Sequence, residues 1–112
     1  MMLRSGPIEV DLTHSTALIG GQALTLTVHE FRLLCVLIER AGRVVMREDL
    51  YRAAWGGALR RGDRCVDVYV RKLRVKLAAA LPDWTCIHTH VGFGYRLHPE
   101  RSHLFHSTAT PR

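Results

Sequence analysis

The most regular hydrophobic pattern in the chain lies between residues 64 and 77. Apolar residues recur there at i, i+4, i+7 and i+11, the spacing of one stripe along an α-helix: Val66, Val70, Leu73 and Leu77. The opposite side of this helix carries cations with small apolar side chains between them: Arg64, Val68, Arg71, Lys72 and Val75. An ordinary surface helix has mixed charge on that side. We therefore predict a helix that packs by one face and offers Arg, Lys and valine methyl groups on the other.

The first quarter of the chain has the pattern of a small antiparallel sheet. Apolar and polar residues alternate over 8–12, as in a strand with one buried face. Further strands are predicted over 16–19 and 22–26, and the glycine pair 20–21 between them marks a hairpin turn. Residues 1–7 are predicted to be an N-terminal extension.

Two further helices are predicted before the cationic one. Thr27 and Glu30 have the spacing of a capping box, ahead of an apolar run that continues to about Arg40. This run is apolar on two sides, so we expect the helix to lie between two layers. A short helix is predicted over 47–54, and the loop 56–62 follows it.

The C-terminal part is predicted to form a β-hairpin and a tail. Strands over 86–90 and 93–97 flank Gly92, and residues 98–112 are polar without periodicity, which indicates a flexible tail. The predicted fold is therefore α+β: an N-terminal antiparallel sheet, three helices and a C-terminal hairpin. Two helices joined by a loop and followed by a hairpin make a winged helix-turn-helix, which we assign to residues 8–97.

Charge narrows the class of partner. The chain has 112 residues, enough for one compact domain, and a formal net charge of +6. Seven basic residues against two acidic ones lie between Arg60 and Lys76. A basic stretch so concentrated is typical of a protein that binds a polyanion.

The cysteines and the N-terminus bear on the cellular location. The three cysteines are far apart and odd in number, which argues against a zinc site and against a disulfide framework. The N-terminal residues lack the pattern of a signal peptide, and no apolar run approaches the ~20 residues needed to cross a bilayer. We expect a cytoplasmic protein that makes no contact with a membrane.

Seven short strings, in matching order and spacing, resemble those of one protein family. They are Leu26-Thr-x-x-Glu-Phe-x-Leu-Leu34, Gly42-Arg-Val-Val45, Arg47-Glu-x-Leu50, Trp55-Gly56, Val66-Asp-Val-x-Val-Arg-Lys-Leu-Arg74, Lys76-Leu77, and Ile87-x-Thr89 with Gly92-x-Gly-Tyr-Arg-Leu97. Together they closely resemble the OmpR/PhoB-type winged-helix DNA-binding domain, the output half of many bacterial two-component response regulators. The match covers about residues 8–97. A receiver domain would need about 120 further residues, so the chain is either an excised output domain or a stand-alone regulator.

The resemblance implies a four-stranded N-terminal sheet and a domain that regulates transcription by binding double-stranded DNA, as tandem copies on direct repeats. It implies that helix 64–77 lies in the major groove and that hairpin 86–97 contacts the backbone and the minor groove. It also implies that the loop between the last two helices contacts RNA polymerase or a neighbouring copy, through Gly57, Leu59, Arg60 and Arg61.

The resemblance assigns individual roles as well. Phosphate contacts fall to Arg64, Arg71 and Arg74, a base contact to Lys72, groove contacts to Val68 and Tyr69, and backbone contacts from the wing to Thr89 and Tyr95. The helical wheel adds Val75 to the residues expected to face DNA. Side-chain chemistry agrees for most of them, because Arg and Lys neutralise phosphates, Lys donates to guanine, and a valine methyl suits a thymine methyl. Arg74 and Tyr69 lie on the flanks of the helical wheel, which suits phosphate or sugar.

Three positions depart from the family pattern. Val91 stands where the wing usually has arginine, so insertion of charge into the minor groove is in doubt, and His90 supplies charge there only when protonated. Met46 replaces a serine-like N-cap, which weakens the start of the short helix. Cys65 replaces a residue that is often Thr or Ser.

Other functions fit the sequence less well than DNA binding. His88 and His90 share one strand face, as in a metal chelate, but the sequence places no third ligand, so neither a metal nor a cofactor is expected. No spacing suggests a catalytic triad or a P-loop, so the chain is not expected to be an enzyme. The remaining alternative is a winged helix that binds protein, which would carry large apolar anchors on its outward face. This chain has cations and two valines there, which favours DNA.

Overall fold

The computed structural model describes residues 1–102, so most of the predicted tail lies outside the described residues. Its elements in chain order are β1 (Met2–Ser5), β2 (Ile8–Asp11), β3 (Thr16–Ile19), β4 (Gln22–Leu24), α1 (Val28–Glu39), β5 (Val44–Met46), α2 (Arg47–Trp55), α3 (Cys65–Ala80), β6 (Trp84–His90) and β7 (Gly94–Arg101). The strands form two antiparallel sheets, ordered β1-β2-β3-β4 and β5-β7-β6. The predicted winged-helix architecture is confirmed.

The N-terminal sheet begins earlier than predicted. Strand β1 pairs with β2 over its whole length, from Met2 opposite Asp11 to Ser5 opposite Ile8. The prediction that residues 1–7 are an extension of the domain is therefore wrong. Four residues with a single alternation carry too little periodicity to reveal a strand, and the free edge of β2 is what orders them.

Helix α1 begins at the predicted capping box. The Thr27 hydroxyl accepts the Glu30 N–H at 3.2 Å, and the Glu30 carboxylate accepts the Thr27 N–H at 2.9 Å. Glu30 is buried, and Lys76 of α3 donates to its Oε1 at 2.7 Å. Burial alone would raise the pKa of Glu30, but the bonds from Lys76 and Thr27 lower it. Lys76 therefore joins two helices and does not belong to the outward cationic face.

The C-terminal sheet extends further than predicted. Strand β7 is central in this sheet, and it pairs with β6 as far as Trp84 opposite Arg101. The prediction of a flexible tail from residue 98 is wrong for 98–101, because pairing with β6 supplies the order that the polar sequence does not indicate. Residues 103–112 lie outside the described part of the chain.

The core lies where α1 meets the sheets and α3. Leu33, Leu34 and Leu37 of α1 are fully buried, as expected of a helix covered on two sides. The three cysteines are free, and burial raises the pKa of Cys86 and, together with the charge of Glu39, that of Cys35 to about 11. Both of these thiols are therefore protonated at neutral pH and act as packing groups.

Candidate nucleic-acid interface

Helix α3 separates the two predicted faces. Its seam residues are each at most 3% exposed: Val66, Val70, Leu73 and Leu77. On the outward side Arg71 and Lys72 are exposed, and Val68 and Val75 expose 46% and 63% of their surface. Burial of Arg71 and Lys72 under other elements would have contradicted the prediction, and it does not occur. The outward face is a strip of cations and valine methyl groups, available to a partner.

The first turn of α3 is capped by an aspartate. The Asp63 carboxylate accepts the Cys65 N–H at 2.9 Å, while Arg64 occupies the N-cap position and keeps its side chain exposed. Burial, with the nearby charge of Asp63, raises the pKa of the Cys65 thiol. Helix α2 starts after Met46 without a side-chain cap bond, as the loss of a serine-like residue there predicts.

Asp67 connects three elements beneath the outward face. Its Oδ1 accepts hydrogen bonds from Arg47 Nε at the start of α2, at 2.8 Å, and from the Tyr95 hydroxyl of β7. Burial alone would raise the pKa of Asp67, but these two bonds and the charges of Arg47 and Arg64 lower it. Asp67 is therefore an anionic anchor for α2, α3 and the hairpin. The sequence analysis had counted it only as a charge.

Tyr95 has a role inside the domain. Its side chain is only 4% exposed, and the guanidinium groups of Arg47 and Arg74 lie 5.3 and 5.4 Å from the centroid of its ring. Burial and the bond to Asp67 raise the pKa of Tyr95, so its hydroxyl remains a donor to that carboxylate. The hydroxyl of Tyr95 is thus engaged inside the free domain, and the expected contact of Tyr95 with the DNA backbone stays a prediction.

Arg74 also turns inward. Its guanidinium donates to the carbonyl oxygen of Ile87 at 3.0 and 3.2 Å and to the Thr89 hydroxyl at 2.5 Å. These bonds hold the guanidinium of Arg74 against β6 in the free domain, and its expected phosphate contact stays a prediction. Thr89 itself remains exposed on the hairpin. The consequence is a direct connection between α3 and the wing.

A group of aromatic side chains supports the centre of the outward face. His29 of α1 stacks on Trp55 of α2 at 4.7 Å, and the ring of Tyr69 meets both of them edge-on. Lys72 Nζ lies 4.6 Å from the centroid of the Tyr69 ring. Tyr69 is half-buried, and its ring supports the Lys72 side chain, while its expected contact with a DNA groove stays a prediction. Sequence reasoning missed His29 and Trp55, which lie far apart in the chain.

The loop between α2 and α3 presents further positive charge. Arg60 and Arg61 are exposed there, Leu59 is half-buried, and Gly57 is exposed with a φ of +83°. This loop lines a surface depression together with Arg47, a cation that the sequence analysis had not singled out.

The two histidines of the hairpin take part in hydrogen bonds. His90 Nε2 accepts a hydrogen bond from Arg96 at 3.0 Å, whereas His88 Nε2 donates to the carbonyl oxygen of His98 at 2.9 Å. Among residues 1–102 no group of three His, Cys, Asp or Glu side chains is arranged to hold a metal ion. Within the same residues, no helix combines the length and the apolar character needed to span a membrane.

Known proteins are similar to this chain in both sequence and fold. Residues 21–97 match the protein family described as "Transcriptional regulatory protein, C terminal". The transcriptional regulatory protein CreB of Escherichia coli (strain K12) is 45% identical over 74 residues, which are 66% of this chain and 32% of CreB. The chain spans about a third to a half of the length of the curated relatives it matches.

Solved structures agree with the family match. The DNA binding domain of CpxR from E. coli is 31% identical, with a TM-score of 0.78 over 87% of this chain and 95% of that one. The Klebsiella pneumoniae RstA DNA-binding domain, solved in complex with RstA box, is 27% identical, with a TM-score of 0.77 over 87% and 96%. The chain therefore belongs to the family of C-terminal domains of transcriptional regulatory proteins, the OmpR/PhoB-type winged-helix DNA-binding domains, which are regulators and not enzymes.

Proposed function

We propose that this domain regulates transcription by reading a specific sequence of double-stranded DNA, with α3 in the major groove. The observation that carries the proposal is the outward face of α3, where Arg71 and Lys72 are exposed beside two valines while the opposite seam is buried. A similar domain, that of RstA, was solved in complex with RstA box. Large apolar anchors are missing from this face within the described residues, which disfavours a protein-binding module.

Each outward side chain has a role in this proposal. Arg64 and Arg71 neutralise phosphates and release counterions, which positions the helix without reading sequence. Lys72 reaches a base edge, and Tyr69 supports it from the flank. The methyl groups of Val68 and Val75 meet thymine methyls or sugars. Thr89 contacts the backbone from the wing.

The wider assembly is also part of the proposal. Tandem copies occupy direct repeats, and the α2–α3 loop contacts RNA polymerase or the adjacent copy through Gly57, Leu59, Arg60 and Arg61. The two arginines are exposed, which such a contact requires. The protein acts in the cytoplasm, where DNA and polymerase are present.

A pair of neighbouring variants tests the roles on α3. Lys72→Ala should weaken binding to the preferred sequence by about 1–3 kcal/mol. The affinity for the preferred sequence should then lie closer to the affinity for random DNA. Arg71→Ala should weaken binding to all sequences alike and reduce the slope of log K against log salt by about one unit. The preferred sequence is first selected from a random duplex pool, and binding is then titrated at several salt concentrations.

Arg4→Ala is the matched control, because Arg4 is an exposed cation of the N-terminal sheet that pairs with Glu9. It should leave both the affinity and the salt slope unchanged. An equal loss on preferred and random DNA for Lys72→Ala would refute its base contact. Failure of the unmodified protein to enrich any sequence would refute the proposed function.

A further inference from the structure

The tip of the wing carries two apolar side chains without a partner. Val91 is 87% exposed and Phe93 is 67% exposed. Placing a phenylalanine side chain in contact with a partner removes apolar surface from water, which favours association. Exposure of both residues at one turn therefore marks a contact surface, which we call the wing tip, residues 91–93.

The wing tip is held firmly in shape. Its turn is closed by the Phe93 N–H, which donates to the carbonyl oxygen of His90 at 2.9 Å, and Gly92 provides the positive φ of +84° that the turn requires. Val91 and Phe93 therefore project from either side of one glycine. A preformed turn loses little conformational entropy when it inserts into a partner.

The position of the wing tip relative to α3 is also determined. Arg74 of α3 donates to Ile87 and Thr89 of β6, the strand that leads into the turn. Asp67 of α3 accepts from Tyr95 of β7, the strand that leaves it. Both strands of the hairpin are thus bonded to the helix that presents the outward face, so the wing is fixed relative to α3.

The charges around the wing tip suit a polyanion. No acidic residue occurs between Asp83 and Glu100. Arg96 donates to His90, the residue before Val91, which places a guanidinium at the start of the turn. An apolar tip with a cation nearby matches the minor groove, where phosphates line both edges and deoxyribose sugars form apolar walls above a floor of base edges.

We propose that Val91 and Phe93 enter the DNA minor groove as an apolar wedge that replaces the charge contact of an arginine. This inference rests on the proposed function of α3. Apolar side chains of this kind partly unstack a base step, which is easiest at flexible pyrimidine–purine steps. The wing then selects DNA by its deformability, and its contribution to affinity is nearly independent of salt.

The test uses the whole chain and the duplex selected from the random pool, with the flank under the wing carrying either a TA step or a stiff A-tract. Phe93→Ala should weaken binding about tenfold on the TA flank and much less on the A-tract, with an unchanged salt slope. A 2-aminopurine at the flanking step should brighten with the unmodified protein and not with Phe93→Ala. The residue is exposed, so thermal unfolding should not change.

Two further variants sharpen the outcome. Val91→Arg should steepen the salt slope by about one unit and favour the A-tract, whose narrow minor groove attracts arginine. Val44→Ala removes an exposed apolar side chain elsewhere on the same sheet and should change nothing. Wild-type affinity of Phe93→Ala on both flanks, while Lys72→Ala still loses selectivity, would overturn the wedge alone and leave the tip for another partner. Absence of any sequence preference in the unmodified protein would overturn both proposals.

Discussion

A Gly94→Ala variant should be less stable than the parent domain by about 3 kcal/mol or more, measured by urea unfolding. A Cβ at Gly94 would overlap the carbonyl oxygen of Val45 and press against the backbone of Met46. Those atoms belong to β5, which pairs with β7 at this point, and backbone cannot rotate away as a flexible side chain can. Strand β5 must therefore separate from β7, and the base of the wing loses its support.

Gly92→Ala is the matched control in the same hairpin. An added Cβ at Gly92 meets open space, so its cost is only the strain of a positive φ, about 1–2 kcal/mol. Hydrogen exchange should show loss of protection at Val45 in Gly94→Ala and not in Gly92→Ala. The close approach of the two strands would be disproved if Gly94→Ala cost no more than the control.

An Asp67→Asn variant should lose about 2 kcal/mol of stability at neutral pH. Asparagine retains the size of aspartate and one acceptor, but it removes the charge that faces Arg47 and Arg64. The bonds from Arg47 and Tyr95 to Asp67 join α2, α3 and β7, so the loss should appear as a lower midpoint in urea with an unchanged slope.

The pH dependence gives this prediction a second readout. The folded pKa of Asp67 lies below its ordinary value of 3.8, because the bonds from Tyr95 and Arg47 outweigh the effect of burial. The stability it contributes is fully present above the unfolded pKa and is lost as the pH falls through the folded one. Asp67→Asn should therefore flatten the decline of stability below pH 3.8. Glu30, whose pKa is also lowered, should retain its share of that decline in the variant.

Asp49→Asn is the control for Asp67→Asn, because it removes a carboxylate charge without breaking bonds between α2, α3 and β7. Asp49 pairs with Arg52 at 3.0 Å and Arg40 at 3.7 Å on the exposed side of α2, where such pairs contribute at most about 1 kcal/mol. An equal loss of stability in both variants would mean that Asp67 acts as an ordinary surface charge. Equal acid profiles for Asp67→Asn and the parent would mean the same.

The faces of α3 could be predicted because a helix repeats every 3.6 residues along the chain. Leu73 and Leu77 had to share a side with Val66, and that placed Arg71 and Lys72 opposite them, whatever the remaining structure was. The same holds for the capping box of Thr27 and Glu30, whose partners are three residues apart. Such local patterns were sufficient for the winged-helix fold and for the exposed cations.

The destinations of long side chains could not be predicted in this way. Arg74 is adjacent on the helical wheel to Arg71 of the cationic face, yet it bonds to β6, 13 and 15 residues further along the chain. Tyr95 matches the family motif as a DNA contact, but its hydroxyl meets Asp67, 28 residues away. An arginine that reaches a buried acceptor and one that reaches solvent have the same local sequence pattern.

Local periodicity thus established the helices, the hairpin and the outward cations of α3, because it depends only on residues close together in the chain. Tertiary packing alone decided which arginines and lysines point to solvent and which bond within the domain. It also decided that Met2–Ser5 forms a strand and that the rings of His29 and Trp55 pack against Tyr69. These contacts join residues distant in sequence, and their energies depend on distances and burial that exist only once the elements have packed.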